Sequence, residues 1–506
     1  MIWIYINSII SGALLSTLFP KLNFWFLSIF ALVPYFATLI YYREKINFKH
    51  TFLSAFLLCA LWYFLSIWWL SYVAVAAMLA LSLLLAFLFA LTISLAGKLI
   101  KKNVPTWLAF ASAWMLFETL VTYFLTGFPW LLLAYSWRQL LPVIQVTDIA
   151  GPYIISFLII LFNVSFAEIS VGVIRKRKLN FSLLSVSIFL IAIFYFYGAI
   201  KINNLHKECP IKKIKVACVQ ANIPSLIKHD PGKDVSTLRK YAALTLEAAK
   251  KNPDLFMWPE TALPGYFFNK RISYKVVTNI VDYTKTPLLT GMCRAEISLN
   301  YSVDYFNSAA LIEPSGEVIG LYDKMHLVMF GEYVPYENIF PFFKLLTPID
   351  GSFSCGSGAR TLNLPINSNV FKFGALICFE DVFGYVSREM TRAGAEILVN
   401  LTNDGWFHNS PEPYQHAAIA AFRTIETRRP LIRVTNSGIT TYINRYGKTI
   451  DVLEDRGKKV EVSGYMLSEV PVYKSNTTFY VKYGDWFLIL WCAIAAALLI
   501  KSFFHK

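Results

Sequence analysis

Charge is what this chain of 506 residues lacks: only 16% of it is Asp, Glu, Lys or Arg, against about 25% in an ordinary soluble domain. So little charge cannot clothe a surface of this size in water, so part of the chain must face an apolar medium. Internal repeats and low-complexity stretches are also missing, which excludes solenoids and long disordered tails. No basic stripe interleaved with aromatics occurs, which leaves a nucleic-acid role without support. Seven cysteines and seven histidines are present, but none stand at metal-ligand spacing, so neither a metal nor another cofactor is expected.

What is present is apolar and unevenly spread. Hydrophobic residues make up 56% and aromatics 16% of the chain. Residues 1–200 and a piece near 483–500 carry runs of about 20 apolar residues, the length that crosses about 30 Å of hydrocarbon. Spans are expected near 2–19, 22–42, 51–70, 72–97, 105–126, 150–172, 180–200 and 483–500, about eight in all. The first is read as an uncleaved span, because no basic segment precedes it and no small-x-small site follows. Trp68, Trp69 and Trp130, near expected span ends, read as interfacial anchors. Glu118 and Asp148 lie in or beside spans, where acids are costly, and should face protein or a lipid entry crevice.

Topology follows from Lys and Arg. Three basic loops (Arg43, Lys45, Lys49; Lys98, Lys101, Lys102; Arg175, Lys176, Arg177, Lys178) and the tail residues Lys501 and Lys506 share one side, against Lys21 and Arg138 opposite. The positive-inside rule puts that side in the cytoplasm and the segment 201–482 outside. The expected division is a helical bundle over 1–200, an extracytoplasmic domain over 201–482, and a last span with a short cytoplasmic tail over 483–506. Five of the seven cysteines fall in the domain, an odd number that leaves at least one free thiol within a single chain.

From about residue 211 short strands alternate with helices, and hairpins follow, one signalled by Pro314-Ser315-Gly316. This pattern favours an α/β layered sandwich with a mixed sheet. Three apolar strands each end on a residue that a strand does not need. DLFMWPE ends on Glu260, GLYDKMHL carries Lys324, and ALICFED carries Cys378 just before an expected helix. A cysteine where a strand meets a helix N-terminus is placed for the thiolate form. Attack on an ester carbonyl needs, besides that sulfur, a base such as Glu260 and a cation such as Lys324 to face the oxyanion. Each residue alone also has a structural reading: core thiol, salt-bridge partner, turn lysine. The set is what points to chemistry.

Glu260 in WPE, Lys324 in YDKMHLVMFGEYVP and Cys378 in ICFED resemble the Glu-Lys-Cys triad of the nitrilase superfamily, and NLTNDGWF and RVTNSG are similar to its following blocks. With the membrane bundle, GFPWLLLAYSW, the segment from Asp148 to Gly151 and VQANIP, the resemblance narrows to the apolipoprotein N-acyltransferase family. It implies a nitrilase-like α-β-β-α sandwich on a polytopic helical bundle in the bacterial cytoplasmic (inner) membrane. It also implies a two-step transfer. Cys378 takes an acyl chain from a phospholipid as a thioester, and the α-amine of a diacylglyceryl-cysteine apolipoprotein resolves it. Glu260 would be the base and Lys324 the oxyanion partner. Glu332 would support the intermediate and orient Lys324, and Glu380 matches another family position.

Two positions depart from the family pattern. Phe379 stands where members commonly have Tyr after the nucleophile, and His229 stands where many have Trp, a position implied to contact the donor head group. The apolar segment 336–350 reads either as a loop that enters the interface or as an inward-packed cover. A monomer with no nucleic-acid partner is expected. The competing functions are a membrane-tethered amidase using water as acceptor and a noncatalytic assembly factor on a retired scaffold. The membrane bundle argues against the first, the intact triad against the second.

Overall fold

The computed structural model describes residues 2–224, 231–266, 271–297, 303–335, 352–474 and 476–504. The expectations for His229 and for the segment 336–350 lie outside the described residues. The chain separates into two compact units, Met1–Leu205 with Tyr483–Lys506, and His206–Lys482.

The first unit is helical. Its principal helices are α1 (Ile2–Ser16), α2 (Val33–Tyr41), α3 (Phe48–Ser66), α4 (Val75–Lys101), α5 (Thr106–Tyr123), α6 (Tyr153–Ile174), α7 (Ser182–Lys207) and, from the C-terminal end, α12 (Trp486–Phe504). Four of these, α3, α4, α6 and α7, are long and apolar enough to cross a membrane. The other expected spans also contain helix. α1 stops at 15 residues, and the 22–42 segment divides into a 3-10 turn, Trp25–Ile29, and the nine-residue α2, which has a proline in its first turn. α5 is diluted by Glu118 and three threonines.

Polar residues inside this unit hold irregular backbone, which apolar surroundings cannot solvate. Asn163 on α6 donates from Nδ2 to the Ser28 carbonyl at 2.8 Å and accepts the Leu32 N–H at 2.8 Å. Glu118, 2% exposed, accepts the Trp114 indole at 3.0 Å and the Leu133 N–H at 3.3 Å. Asp148 accepts the Tyr197 hydroxyl at 2.8 Å. The expectation of three interfacial tryptophans needs correcting: Trp69 and Trp130 are 3% and 2% exposed and pack on each other with ring centroids 5.2 Å apart. Only Trp68 presents its ring outward. Hydropathy marks a span end but does not say which side of the helix is covered, which is why the two buried rings were misplaced.

The second unit is a double-sheet α/β structure. The strands are β1 (Lys212–Gln220), β2 (Leu255–Trp258), β3 (Leu288–Ile297), β4 (Val303–Ile312), β5 (Val318–Asp323), β6 (Thr361–Ile366), β7 (Asn369–Ile377), β8 (Ile397–Thr402), β9 (Leu431–Thr435), β10 (Thr441–Ile443), β11 (Thr449–Val452) and β12 (Gly464–Val472). They form two six-stranded sheets, ordered β12-β1-β2-β3-β4-β5 and β11-β10-β9-β8-β7-β6. In each sheet the middle pairings are parallel and the outer ones antiparallel. Parallel strands are covered on both faces, and so β8 reads Ile-Leu-Val-Asn-Leu-Thr with every residue buried. Helices α8 (Asp234–Ala249) and α9 (Arg271–Thr284) belong to the first half, and α10 (Gly384–Arg392) and α11 (Glu412–Thr427) to the second. A buried polar tie joins the sheets: Thr435 and Thr440 donate to Gln220 Oε1 at 2.7 and 2.6 Å.

Candidate active site

Glu260, Lys324 and Cys378 all leave the C-terminal ends of strands, β2, β5 and β7, the edge where open α/β sheets place their chemistry. Close packing brings the WPE turn into place. A side chain at Gly291 on β3 would put its Cβ 2.5 Å from the Glu260 Cα and 2.6 Å from the Pro259 carbonyl oxygen, so only glycine lets β3 pass.

Lys324 is 1% exposed. Its Nζ lies 2.9 Å from Glu332 Oε1 and 2.8 Å from Oε2. Burial works against the ammonium, but Glu332, Cys378, Glu260 and Glu380 surround it and together hold its pKa above the usual lysine range. The lysine is therefore a fixed cation, not a base. Glu332 is anchored in turn by the Val328 N–H at 2.9 Å.

Asn307, in the middle of β4, was not singled out in the sequence. Its Nδ2 donates to Glu260 Oε1 at 2.7 Å and to Glu332 Oε1 at 2.9 Å, and its backbone carbonyl accepts the Lys324 backbone N–H at 2.8 Å. One amide thus spaces the two carboxylates around the lysine. The only sequence signal is a polar residue on a strand whose last six positions are otherwise small or apolar and buried.

Cys378 sits half-buried in a 3-10 turn, Cys378–Val382, and has a left-handed backbone, φ 53°. That conformation is rare for a residue with a side chain and marks a built turn. The first α-helix after it, α10, starts at Gly384, so the expectation that a helix N-terminus favours the thiolate is not met. Burial, then Glu260, push the thiol well above its ordinary range; Lys324 and the Thr402 side chain pull it back only in part. That direction keeps the sulfur in its thiol form.

Glu380, in the first turn of that 3-10 segment, straps two loops together. It accepts the Tyr322 hydroxyl at 2.8 Å, the Met325 and His326 N–H groups at 2.8 and 3.0 Å, and the Ile377 N–H at 2.7 Å. The loop that carries Lys324 is thereby tied to the turn that carries Cys378. Burial pushes this carboxyl up to about 7, against the pull of Lys324 and the donors. Phe379 packs edge-on against Phe383, ring centroids 5.2 Å apart.

Beside the turn that carries Cys378 lies a second buried cluster that sequence reading did not find, because its members come from four separate segments. Arg433 donates to Asp381 Oδ2 at 2.9 Å, Asp404 Oδ2 at 2.8 Å and Asn400 Oδ1 at 3.0 Å. His416 Nε2 is 2.7 Å from Asp381 Oδ1. Asp404, Glu412 and His416 bring ligand atoms within 4.8 Å of one another, as a metal would require. The Arg433 guanidinium, 2.8 Å from both Asp404 Oδ2 and His416 Nδ1, already takes the place of a cation there.

Fold and site together define a carbon-nitrogen-hydrolase type of domain in a chain that also carries membrane-length helices. A sequence model described as carbon-nitrogen hydrolase matches residues 215–462, and one described as the apolipoprotein N-acyltransferase N-terminal domain matches residues 11–165. The chain is 35% identical to the apolipoprotein N-acyltransferase of Geobacter metallireducens over 414 residues, 80% of this chain and 77% of that one. It is 33% identical to the apolipoprotein N-acyltransferase of Borreliella burgdorferi over 382 residues, 72% of this chain and 68% of that one. Among solved structures, a carbon-nitrogen hydrolase from Helicobacter pylori is similar with a TM-score of 0.38 at 16% identity, over 51% of this chain and 89% of that one. The chain belongs to the apolipoprotein N-acyltransferase family.

Proposed function

We propose that this acyltransferase works by a ping-pong route in which Cys378 carries the acyl chain. Glu260 takes the thiol proton as Sγ attacks a phospholipid acyl ester. Lys324 faces the oxyanion, and the departing alcohol, a lysophospholipid, receives the proton from Glu260. The α-amine of a diacylglyceryl-cysteine apolipoprotein then attacks the thioester. Glu260 accepts the amine proton, and the thiol is restored as the amide forms. Glu332 keeps Lys324 charged and aimed, and Glu380 fixes the spacing of the two loops. Splitting the transfer lets two bulky lipids use one sulfur in turn.

The observation that carries this reading is the buried Lys324 ammonium, held by Glu332 and in electrostatic contact with both Cys378 and Glu260. A preorganised cation beside a protonated thiol stabilises charge that appears only in the transition state. The membrane-length helices favour lipid substrates over the small amides of a tethered amidase. The proposed division is a membrane bundle over 1–200, a catalytic domain over 201–482 on the outer face of the cytoplasmic membrane, and a final span over 483–506. One chain holds the full set of catalytic groups, so the proposed unit is the monomer.

Initial rates with varied phospholipid and varied diacylglyceryl peptide test the route. Parallel double-reciprocal lines, and lysophospholipid release before acceptor is added, are expected. Intersecting lines with no release in the absence of acceptor would refute a covalent intermediate. For topology, single cysteines replacing Lys102 and Lys459 should react with an impermeant reagent in osmotically opened, intact cells only at 459; the reverse pattern inverts the assignment.

A further inference from the structure

The thiol at rest poses a problem that the Glu-Lys-Cys set does not solve alone. Of the charges around the sulfur, Glu260 after β2 and Asp404 after β8 oppose the thiolate, and Lys324 after β5 favours it. Lys324 is already bound at both Glu332 oxygens and stands near Glu380. Behind Asp404 stand Arg433 on β9, Glu412 and His416 on α11, and Asp381 from the nucleophile turn. A neutral donor that turns toward the sulfur only once it is charged would fill the gap, and one side chain is placed to be that donor.

We propose that the Thr402 hydroxyl is a hydrogen-bond switch for Cys378, donating to Asp404 while the sulfur is a thiol and turning to donate to the sulfur once it is a thiolate. This inference rests on the reading of Cys378 as the nucleophile. β7 and β8 run parallel with Leu401 opposite Ile377, so the next residues, Thr402 and Cys378, leave the two strands side by side. Asn400, on the same strand as Thr402, holds the Cys378 carbonyl from Nδ2 at 2.9 Å and so fixes the turn. Thr402 is fully buried, its hydroxyl donates to Asp404 Oδ1 at 3.2 Å, and its side chain stands where it favours the thiolate form of Cys378.

A hydroxyl has one hydrogen to give and lone pairs to receive. With a thiol beside it, the hydroxyl hydrogen goes to Asp404. With a thiolate, the sulfur can only accept, and the hydroxyl gains more by turning to it. Asp404 can release that bond. Burial disfavours its charge, but Arg433 and His416 hold its carboxyl well below the usual range, and the Arg433 bond at 2.8 Å is the shorter one. The proton balance is simple: the S–H proton moves to Glu260, and the Thr402 proton never leaves its own oxygen.

The test follows the rate of Cys378 alkylation by iodoacetamide against pH, in the full-length detergent-solubilised protein, scored on the Cys378 peptide by mass. Loss of one hydrogen bond to a charged sulfur shifts the thiolate midpoint by about one pH unit. Thr402→Val should therefore react about tenfold more slowly at pH values below both midpoints and converge with the parent at high pH. Thr402→Ser should restore the parent profile. An unshifted profile in Thr402→Val, or a loss that is equal at every pH and not rescued by Ser, would overturn the switch. If Thr402→Val elutes as aggregate, Thr402→Ala carries the same expectation. Acylation of lipoprotein that persists in Cys378→Ala would instead sink the nucleophile reading beneath it, an outcome separable from an unshifted Thr402→Val in a protein that needs Cys378.

Discussion

Both units of this protein bury polar side chains, but they use them in different ways. In the helical unit Asn163 and Glu118 each satisfy backbone N–H or carbonyl groups of irregular segments, Ser28, Leu32 and Leu133, that apolar surroundings leave without water. In the sheet unit the buried polar groups hold one another: Lys324 with Glu332, Asn307 with two carboxylates, Arg433 with two aspartates. The first arrangement protects a fold, and the second stores an oriented field. Removing a residue of the first kind should cost stability, and removing one of the second kind should cost rate.

The largest expected effect is at the sulfur. Cys378→Ala should bring N-acylation of a diacylglyceryl peptide to background while the protein still elutes as a folded species, measured by mass of the peptide product. Next comes Lys324→Met, which removes the cation and leaves Glu332 facing an apolar group. Turnover should fall by about a hundredfold to a thousandfold, and stability by about 3–5 kcal/mol, because a buried charge is left unpaired. A fall in stability without that loss of rate would place Lys324 among the purely structural residues and erase the contrast.

Glu380→Gln sharpens the comparison, because Glu380 belongs to both kinds: it straps loops, but loops that carry the proposed reacting groups. Its amide can still accept from Tyr322, Met325 and His326 but sets an NH2 against the Ile377 N–H, so activity should fall by about tenfold, one charge-assisted bond. The pH dependence has a definite sign. The folded carboxyl titrates up to about 7, above its unfolded value of about 4.3, so the folded state binds more protons between those values and loses stability as pH rises through them. In Glu380→Gln that contribution disappears, and the fall in Tm over this window should be shallower than in the parent. The smallest catalytic effect is expected for Asn163→Leu. It should destabilise the helical unit by about 1–3 kcal/mol, since buried backbone groups lose their partner, while kcat per folded molecule stays near the parent's. A specific loss of kcat would show that this pin also serves catalysis.

Which parts could be read from the sequence follows the same division. Glu260, Lys324 and Cys378 stand out because each breaks an apolar strand at its end, and the long apolar runs announced helices. Asn307 did not stand out, since one polar residue inside a strand looks like any solvent-facing position until the partner strands are known. Arg433, His416, Asp404 and Asp381 meet only through tertiary packing and share no spacing along the chain. The thiolate expectation failed for a related reason: strand-then-helix is legible, but the intervening 3-10 turn and the burial of the sulfur are not. The buried pair Trp69 and Trp130 was misread because hydropathy carries no information on which neighbour covers a ring.

The most direct test of the central claim is the intact mass of the full-length protein after incubation with phospholipid and no acceptor. A single acyl adduct that is released by hydroxylamine, maps to the Cys378 peptide and is lost on adding a diacylglyceryl peptide is the predicted result. An unmodified Cys378 in protein that goes on to acylate the peptide at its normal rate would contradict the account.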